Sequence, residues 1–148
     1  HGRLSDSSLT KGTVREKDLF NIVPYENTIG VAHVTALELS DIIQEQYANR
    51  RSYVYNGLWG TKAVISSDGS VTLPERPVLD KNGRIAVALN SYAIAGGGGR
   101  FPVLRAILRD PDAGLRDTGL ETRQIVRDYL QRHEPLALEA RPWLILEK

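Results

Sequence analysis

The chain of 148 residues contains neither cysteine nor methionine. Without cysteine there is no disulfide, no thiolate nucleophile and no thiolate metal ligand, and the redox compartment stays open. A reading frame starts with methionine, and one followed by a residue as large as His1 keeps it. The expectation is therefore a piece of a longer protein, whose missing N-terminus would hide any signal peptide. Histidine is scarce too: His1, His33 and His133 are scattered, in no HxxxH or DxH pattern, so no metal site is expected. There is no GxSxG nucleophile turn and no carboxylate pair in a recognisable setting; Asp110 and Asp112, flanking Pro111, read as a surface loop. The net charge of +1 gives no footprint for nucleic acid or an anionic membrane. No apolar run approaches the roughly 18 residues of a membrane-spanning helix. No internal repeat or low-complexity tract is present. These absences exclude a self-contained hydrolase or metalloenzyme and point to ligand recognition without a catalytic residue or metal ligand in this chain.

What is present suffices for one domain, residues 1–148, with a real core. The chain is organised around 90–102, Asn-Ser-Tyr-Ala-Ile-Ala-Gly-Gly-Gly-Gly-Arg-Phe-Pro. Before it, residues 84–89 form an apolar run that predicts a buried central strand. After it, residues 101–108 predict a helix, with Pro102 in the first turn, where proline is tolerated. The glycines between them accept positive φ, and the helix would point free N–H groups at the loop. The alternative is a tight connection with no ligand. The loop is neither a Walker A loop nor a GxGxxG fingerprint, since no Gly-Lys-Ser/Thr follows and Pro102 stands at the last glycine's place.

In chain order, residues 1–12 read as an entering loop. Thr13 and Glu16 form a capping-box pattern before a short helix to about Asn21, with Val14, Leu19, Phe20 and Ile22 as apolar contacts; Pro24 ends it. Residues 29–35 predict a strand with Ile29, Val31 and His33 on one face, His33 half-buried. Thr35 and Glu38 form a second capping box, opening a helix to about Ala48 whose Leu39, Ile42, Ile43 and Tyr47 share a face. Residues 53–55 and 61–66 predict strands, residues 67–70 a hairpin turn, and 71–78, with two prolines, an edge or loop. Residues 109–117 read as a charged loop and 118–132 as an amphipathic helix with Ile125, Val126, Tyr129 and Leu130 inward. Pro142 to Ile145 suggests a last strand. The whole is a mixed α+β domain.

The binding candidates are aromatic. Tyr25 lies in a turn after a helix and Tyr92 at a strand end before the glycines. Two rings at element ends can clamp a flat ligand, stacking contributing roughly 1–3 kcal/mol per base. Asn27 can hydrogen-bond a heterocycle edge. The alternative for either tyrosine is partial burial with its hydroxyl satisfied.

Residues 11–14 (Lys-Gly-Thr-Val), 18–20 (Asp-Leu-Phe), 23–27 (Val-Pro-Tyr-Glu-Asn) and 90–92 (Asn-Ser-Tyr) followed by Gly96-Gly97 resemble, in order, the C-terminal domain of the 5′-nucleotidase/UDP-sugar hydrolase family. The resemblance covers almost the whole chain. It implies a layered α/β/β/α sandwich that binds the nucleoside part of a substrate, beside an N-terminal calcineurin-like domain, absent here, that holds two divalent metal ions and hydrolyses the phosphoester. It makes Tyr25 and Tyr92 the rings that sandwich the base and Asn27 its hydrogen-bonding partner. Gly57 falls near a glycine lining the pocket; Gly96, Gly97, Gly98 and Arg100 of this chain's own glycine loop are added as candidate binding residues. It also implies a periplasmic or extracellular enzyme.

Two departures bear on the substrate. The family's glycine motif usually carries an aspartate that contacts the ribose; Gly98 stands there, with Arg100 added before Phe101. Where the family often has a phosphate-holding arginine this chain has Asp6, which would repel an anion, with Arg3 nearest. Arg100 offers a guanidinium fork that compensates. They keep open a relative acting on a UDP-sugar, a cyclic nucleotide or a sulfur ester, and a diverged interaction domain that binds no nucleotide.

Overall fold

The computed structural model describes residues 9–51, 57–75, 77–133, 135–136 and 144–146. Arg3, Asp6, the predicted strand at 53–55, Pro142 and Trp143 lie outside them. The strand β1, Thr28–Val34, is the middle of a three-stranded sheet. Its neighbours are β4, Ile85–Asn90, and β5, Arg116–Glu121, both antiparallel to it. The second sheet places β2, Ala63–Ile65, between an antiparallel β3, Val71–Thr72, and a parallel β6, Leu144–Leu146. Helix α1, Glu16–Ile22, precedes β1, and α2, Ala36–Ala48, follows it. After β4 come α3, Ser91–Ile94, and α4, Pro102–Arg109; α5, Thr122–Arg132, follows β5. One cluster of buried side chains draws on both sheets, α2 and α4: Ala32, Val34, Ile42, Ile43, Ala63, Ile65, Phe101 and Leu104. The mixed α+β class read from the sequence holds.

Local signals explain much of this. Thr35 caps α2 as expected: its hydroxyl accepts from the Glu38 N–H at 3.1 Å, and the Glu38 carboxylate accepts from the Thr35 N–H at 2.7 Å. Leu39, Ile42 and Ile43 are buried on its inner face. The hairpin turn closes through Gly69 N–H to Ser66 O at 2.9 Å, and β3 is an edge strand. His33 is half-buried, and the face of β1 opposite it, Gly30, Ala32 and Val34, is the one turned to the core.

Several expectations are corrected. The box at α1 is made by Asp18, whose carboxylate accepts from the Arg15 N–H at 2.8 Å; Glu16 instead pairs with Arg127 of α5. Leu19 and Val23 are the buried residues there, while Val14 and Phe20 are exposed. The strand before the glycines is an edge of the described sheet, with only Ile85 buried. Its apolar run hides a period of two, because the exposed alternate positions, Ala86 and Ala88, are alanines. Residues 118–121 belong to β5, not a helix. Gly119, at φ +69°, breaks a helix, and Thr118 Oγ1 donates to Ile29 O at 2.6 Å. Almost every residue of β5 is exposed, so no alternation announced it.

Helix α5 is rotated relative to its apolar pattern. Ile125 and Tyr129 are exposed, whereas Arg123 is buried and Val126, Arg127 and Leu130 are half-buried. Positions 123, 126, 127 and 130 share one helical face. Two arginines therefore lead the inward row, each bonded to α1 or the turn after it.

The N-terminus of α4 does not offer bare N–H groups to a ligand. Glu45 of α2 occupies it, accepting from the Val103 N–H at 2.7 Å and the Leu104 N–H at 3.1 Å. A carboxylate there satisfies orphan donors and the positive end of the helix dipole. It also locks α2 to α4 across the core.

Two outcomes follow. Glu45→Ala should cost about 1 kcal/mol, the usual value of a lost helix cap, read as a lower urea midpoint with an unchanged m value. Asp80 accepts from the Arg84 and Asn82 N–H groups at 2.9 and 2.8 Å, and the Arg84 bond is the main cause of a carboxyl pKa lowered below 3.8. A lowered folded pKa adds stability that is present above the unfolded value and lost as pH falls through the folded one. Wild type should therefore exceed Asp80→Asn in stability well above pH 3.8 and converge with it well below; parallel curves at every pH would show that the carboxylate does not matter.

Candidate functional site

The two ring-bearing segments meet at one end of the first sheet. The antiparallel register pairs Ile29 with Asn90, so the residues just before β1 run beside those just after β4. Ser91 Oγ bonds Asn27 Oδ1 there at 3.2 Å. Tyr25 lies two residues before Asn27 and is 42% exposed; Tyr92 follows Ser91 and is half-buried against the core. Neither ring is buried.

Tyr92 belongs to α3 rather than to a strand end. Asn90 caps this short helix, its Oδ1 accepting from the Ala93 N–H at 2.8 Å. The helix lies on β1 because Gly30 has no side chain: a Cβ there would stand 2.5 Å from Ile94 Cδ1. A larger residue at 30 would force the Ile94 side chain to move.

The glycine turn runs through positive φ at Gly96, Gly97, Gly98 and Gly99. At Gly97 the requirement is steric as well, since a Cβ would lie 2.3 Å from the ring of the fully buried Phe101. At Gly98 a Cβ would lie 3.2 Å from the Tyr92 hydroxyl and 2.8 Å from Arg100 Nη1, and that nitrogen donates to Gly97 O at 3.2 Å. Tyr92, Gly97, Gly98 and Arg100 are thus gathered at one place. The Gly96 carbonyl accepts from the Gly99 and Phe101 N–H groups at 2.9 and 3.1 Å, closing the turn. Gly96 and Gly99 of the turn also border a groove of about 290 Å³ walled by Phe101, Pro102, Arg105 and Arg109. Gly57 is exposed on the segment leading into β2 of the second sheet, and the described contacts do not join it to the tyrosines.

The turn holding Tyr25 and Asn27 is fastened from α5. Asn27 O accepts from both the N–H and the hydroxyl of Thr122, each at 2.8 Å. Arg123 Nε and Nη2 each donate to Val23 O at 3.1 Å, and Nη1 meets Glu26 Oε1 at 2.9 Å. Its guanidinium stacks 3.9 Å above the Phe20 ring. Sequence reading missed Ser91, Thr122 and Arg123. The one available signal for Arg123 was its i, i+3, i+4, i+7 row with Val126, Arg127 and Leu130. Among the described residues no group of three or more histidine, aspartate or glutamate side chains converges as a metal ion requires.

Gly97→Ala tests the turn. A left-handed alanine together with a clash against a packed ring should cost about 2–4 kcal/mol in urea denaturation. A loss under about 0.5 kcal/mol would mean that the turn relaxes freely.

The profile of the "5'-nucleotidase, C-terminal domain" family matches residues 1–106 of the chain. No curated protein sequence matches significantly. Among solved structures, the 5'-nucleotidase precursor of Thermus thermophilus is similar at TM-score 0.72 and 16% identity, over 95% of this chain and 29% of that one. A Staphylococcus aureus protein described as a 5'-nucleotidase, in complex with alpha-ketoglutarate, gives 0.73 and 20%, over 99% of this chain and 32% of that one. The NAD nucleotidase of Haemophilus influenzae gives 0.67 and 17%, over 91% and 27%. The chain therefore spans less than a third of each of these proteins, and at such identities the likeness is one of fold. The profile match covers well over half of the chain, and with the fold it establishes that this protein belongs to the 5'-nucleotidase C-terminal domain family.

Proposed function

We propose that this chain is the substrate-recognition part of a 5'-nucleotidase-type hydrolase and binds the base and ribose of a nucleotide between Tyr25 and Tyr92. The observation that carries the reading is the meeting of residues 25–27 with residues 91–98 at one sheet end, with neither ring buried. An inward-facing pair would have favoured a packing domain that binds no nucleotide. Ser91 engages the carbonyl side of the Asn27 amide, so the NH₂ side is the one to meet a heterocycle acceptor. Gly97 and Gly98 admit a ligand close to the backbone. Phosphoester hydrolysis is assigned to an N-terminal metallophosphoesterase domain outside this chain, which would hold two divalent metal ions. The parent enzyme would be periplasmic or extracellular; among the described residues no helix is long and apolar enough to cross a membrane.

A second reading, a relative acting on a UDP-sugar or a cyclic nucleotide, is favoured by one observation. The Arg100 guanidinium stands beside Gly98, where the family usually has an aspartate, so this wall of the site carries a cation. A cation there favours a ligand with an anion near the ribose.

Titration of the chain with adenosine, AMP and UDP-glucose decides between them. Binding should be weak, with a Kd on the order of 1 mM, about 4 kcal/mol. Tyr25→Ala and Tyr92→Ala should each abolish it, and the preferred ligand identifies the substrate class. A folded chain that binds none of the three would mean that the family's fold is kept without its nucleoside site.

A further inference from the structure

We propose that the first turn of α5, Thr122 and Arg123, positions the ring-binding turn and thereby sets the affinity of the site. The inference rests on the nucleoside reading above. Tyr25 belongs to a short segment between two elements, and segments of this kind are held only where their backbone is bonded. Here the carbonyls on either side of Tyr25, at Val23 and Asn27, are bonded by two adjacent residues nearly a hundred positions later. Arg123 grips the chain before and after Tyr25, at Val23 O and at the Glu26 carboxylate. Thr122 grips Asn27 O twice. Tyr25 is thus bracketed on both sides by α5.

The chemistry of Arg123 suits positioning better than generic packing. Its side chain is 7% exposed, whereas Glu26 is 66% exposed, so this is not a sealed ion pair built for stability. A planar fork that serves one carbonyl with two nitrogens and a carboxylate with the third fixes direction as well as distance. Phe20 beneath the guanidinium fixes its plane. Lysine has one donor centre and cannot reproduce this. Thr122 and Arg123 lie beyond residues 1–106, the stretch the family profile matches, whereas the groups they hold lie within it.

The test compares wild type, Arg123→Lys and Thr122→Val for adenosine affinity and for amide exchange at residues 24–27. If loosening leaves the turn in its binding arrangement about a tenth of the time, the apparent Kd rises about tenfold in Arg123→Lys. Thr122→Val keeps the backbone bond, so a rise of about threefold is expected there. In both, exchange at 25–27 should quicken, and adenosine-induced shifts should shrink at Tyr25 and Asn27 while persisting at Tyr92 and Gly98. A merely structural role would lower the melting temperature without changing affinity, because well below melting the folded fraction stays near one. Wild-type affinity in Arg123→Lys with a native spectrum would overturn the proposal. Should Arg123→Lys fail to fold, Thr122→Val decides: wild-type affinity and exchange there overturn it equally. If wild type itself binds none of adenosine, AMP and UDP-glucose, the nucleoside reading falls and this role in recognition falls with it.

Discussion

The antiparallel pairing of β1 with β4 is the constraint on which the rest of the structure depends. It matches Ile29 with Asn90 and Val34 with Ile85, and so joins in register segments that lie far apart along the chain. One consequence is chemical: the chain entering β1 and the chain leaving β4 emerge together, bringing Asn27 to Ser91 and Tyr25 toward the helix of Tyr92. A shift by one residue would turn Gly30, Ala32 and Val34 away from the core and replace them with Ile29, Val31 and His33. The same shift would deny Ile94 the space above Gly30.

The two ends of this pairing are finished differently. At the far end, Arg84 donates to His33 O at 3.0 Å and to the Glu38 carboxylate at 3.1 Å, tying β4, β1 and the first turn of α2 together. Asp80 closes the turn before Arg84 through backbone bonds. That end is a structural clasp of charged groups. At the near end amides, hydroxyls and glycine carbonyls lie around two rings, with the Arg123–Glu26 pair behind the turn. Arg100 and Arg105 bring positive charge to the glycine turn.

Glu45 shows how the fold closes off one attractive alternative. A glycine turn leading into a helix resembles an anion cradle, yet this helix end is already held by a carboxylate of α2. The glycines serve shape instead: Gly97 lets the chain pass over Phe101, and Gly98 leaves room beside the Tyr92 hydroxyl.

The sequence by itself determined the mixed class, the Thr35 cap, the inner face of α2, the hairpin at 67–70 and the proline-started helix after the glycines. Each depends on residues within one or two turns of one another, and such signals are written locally. The family resemblance likewise rested on short motifs, Pro-Tyr-x-Asn and Asn-Ser-Tyr, that keep their order along the chain. Only the tertiary structure decided that β5 is a strand, that α5 turns Arg123 and Arg127 inward, that Asp18 rather than Glu16 closes the box at the first helix, and that Glu45 fills the end of α4. Most of these depend on partners far along the chain, and a polar residue is buried only when a distant group satisfies it. No window of neighbouring residues contains Val23, Glu26 and Arg123 together, so the clamp on the turn that carries Tyr25 could not be read before the chain was folded.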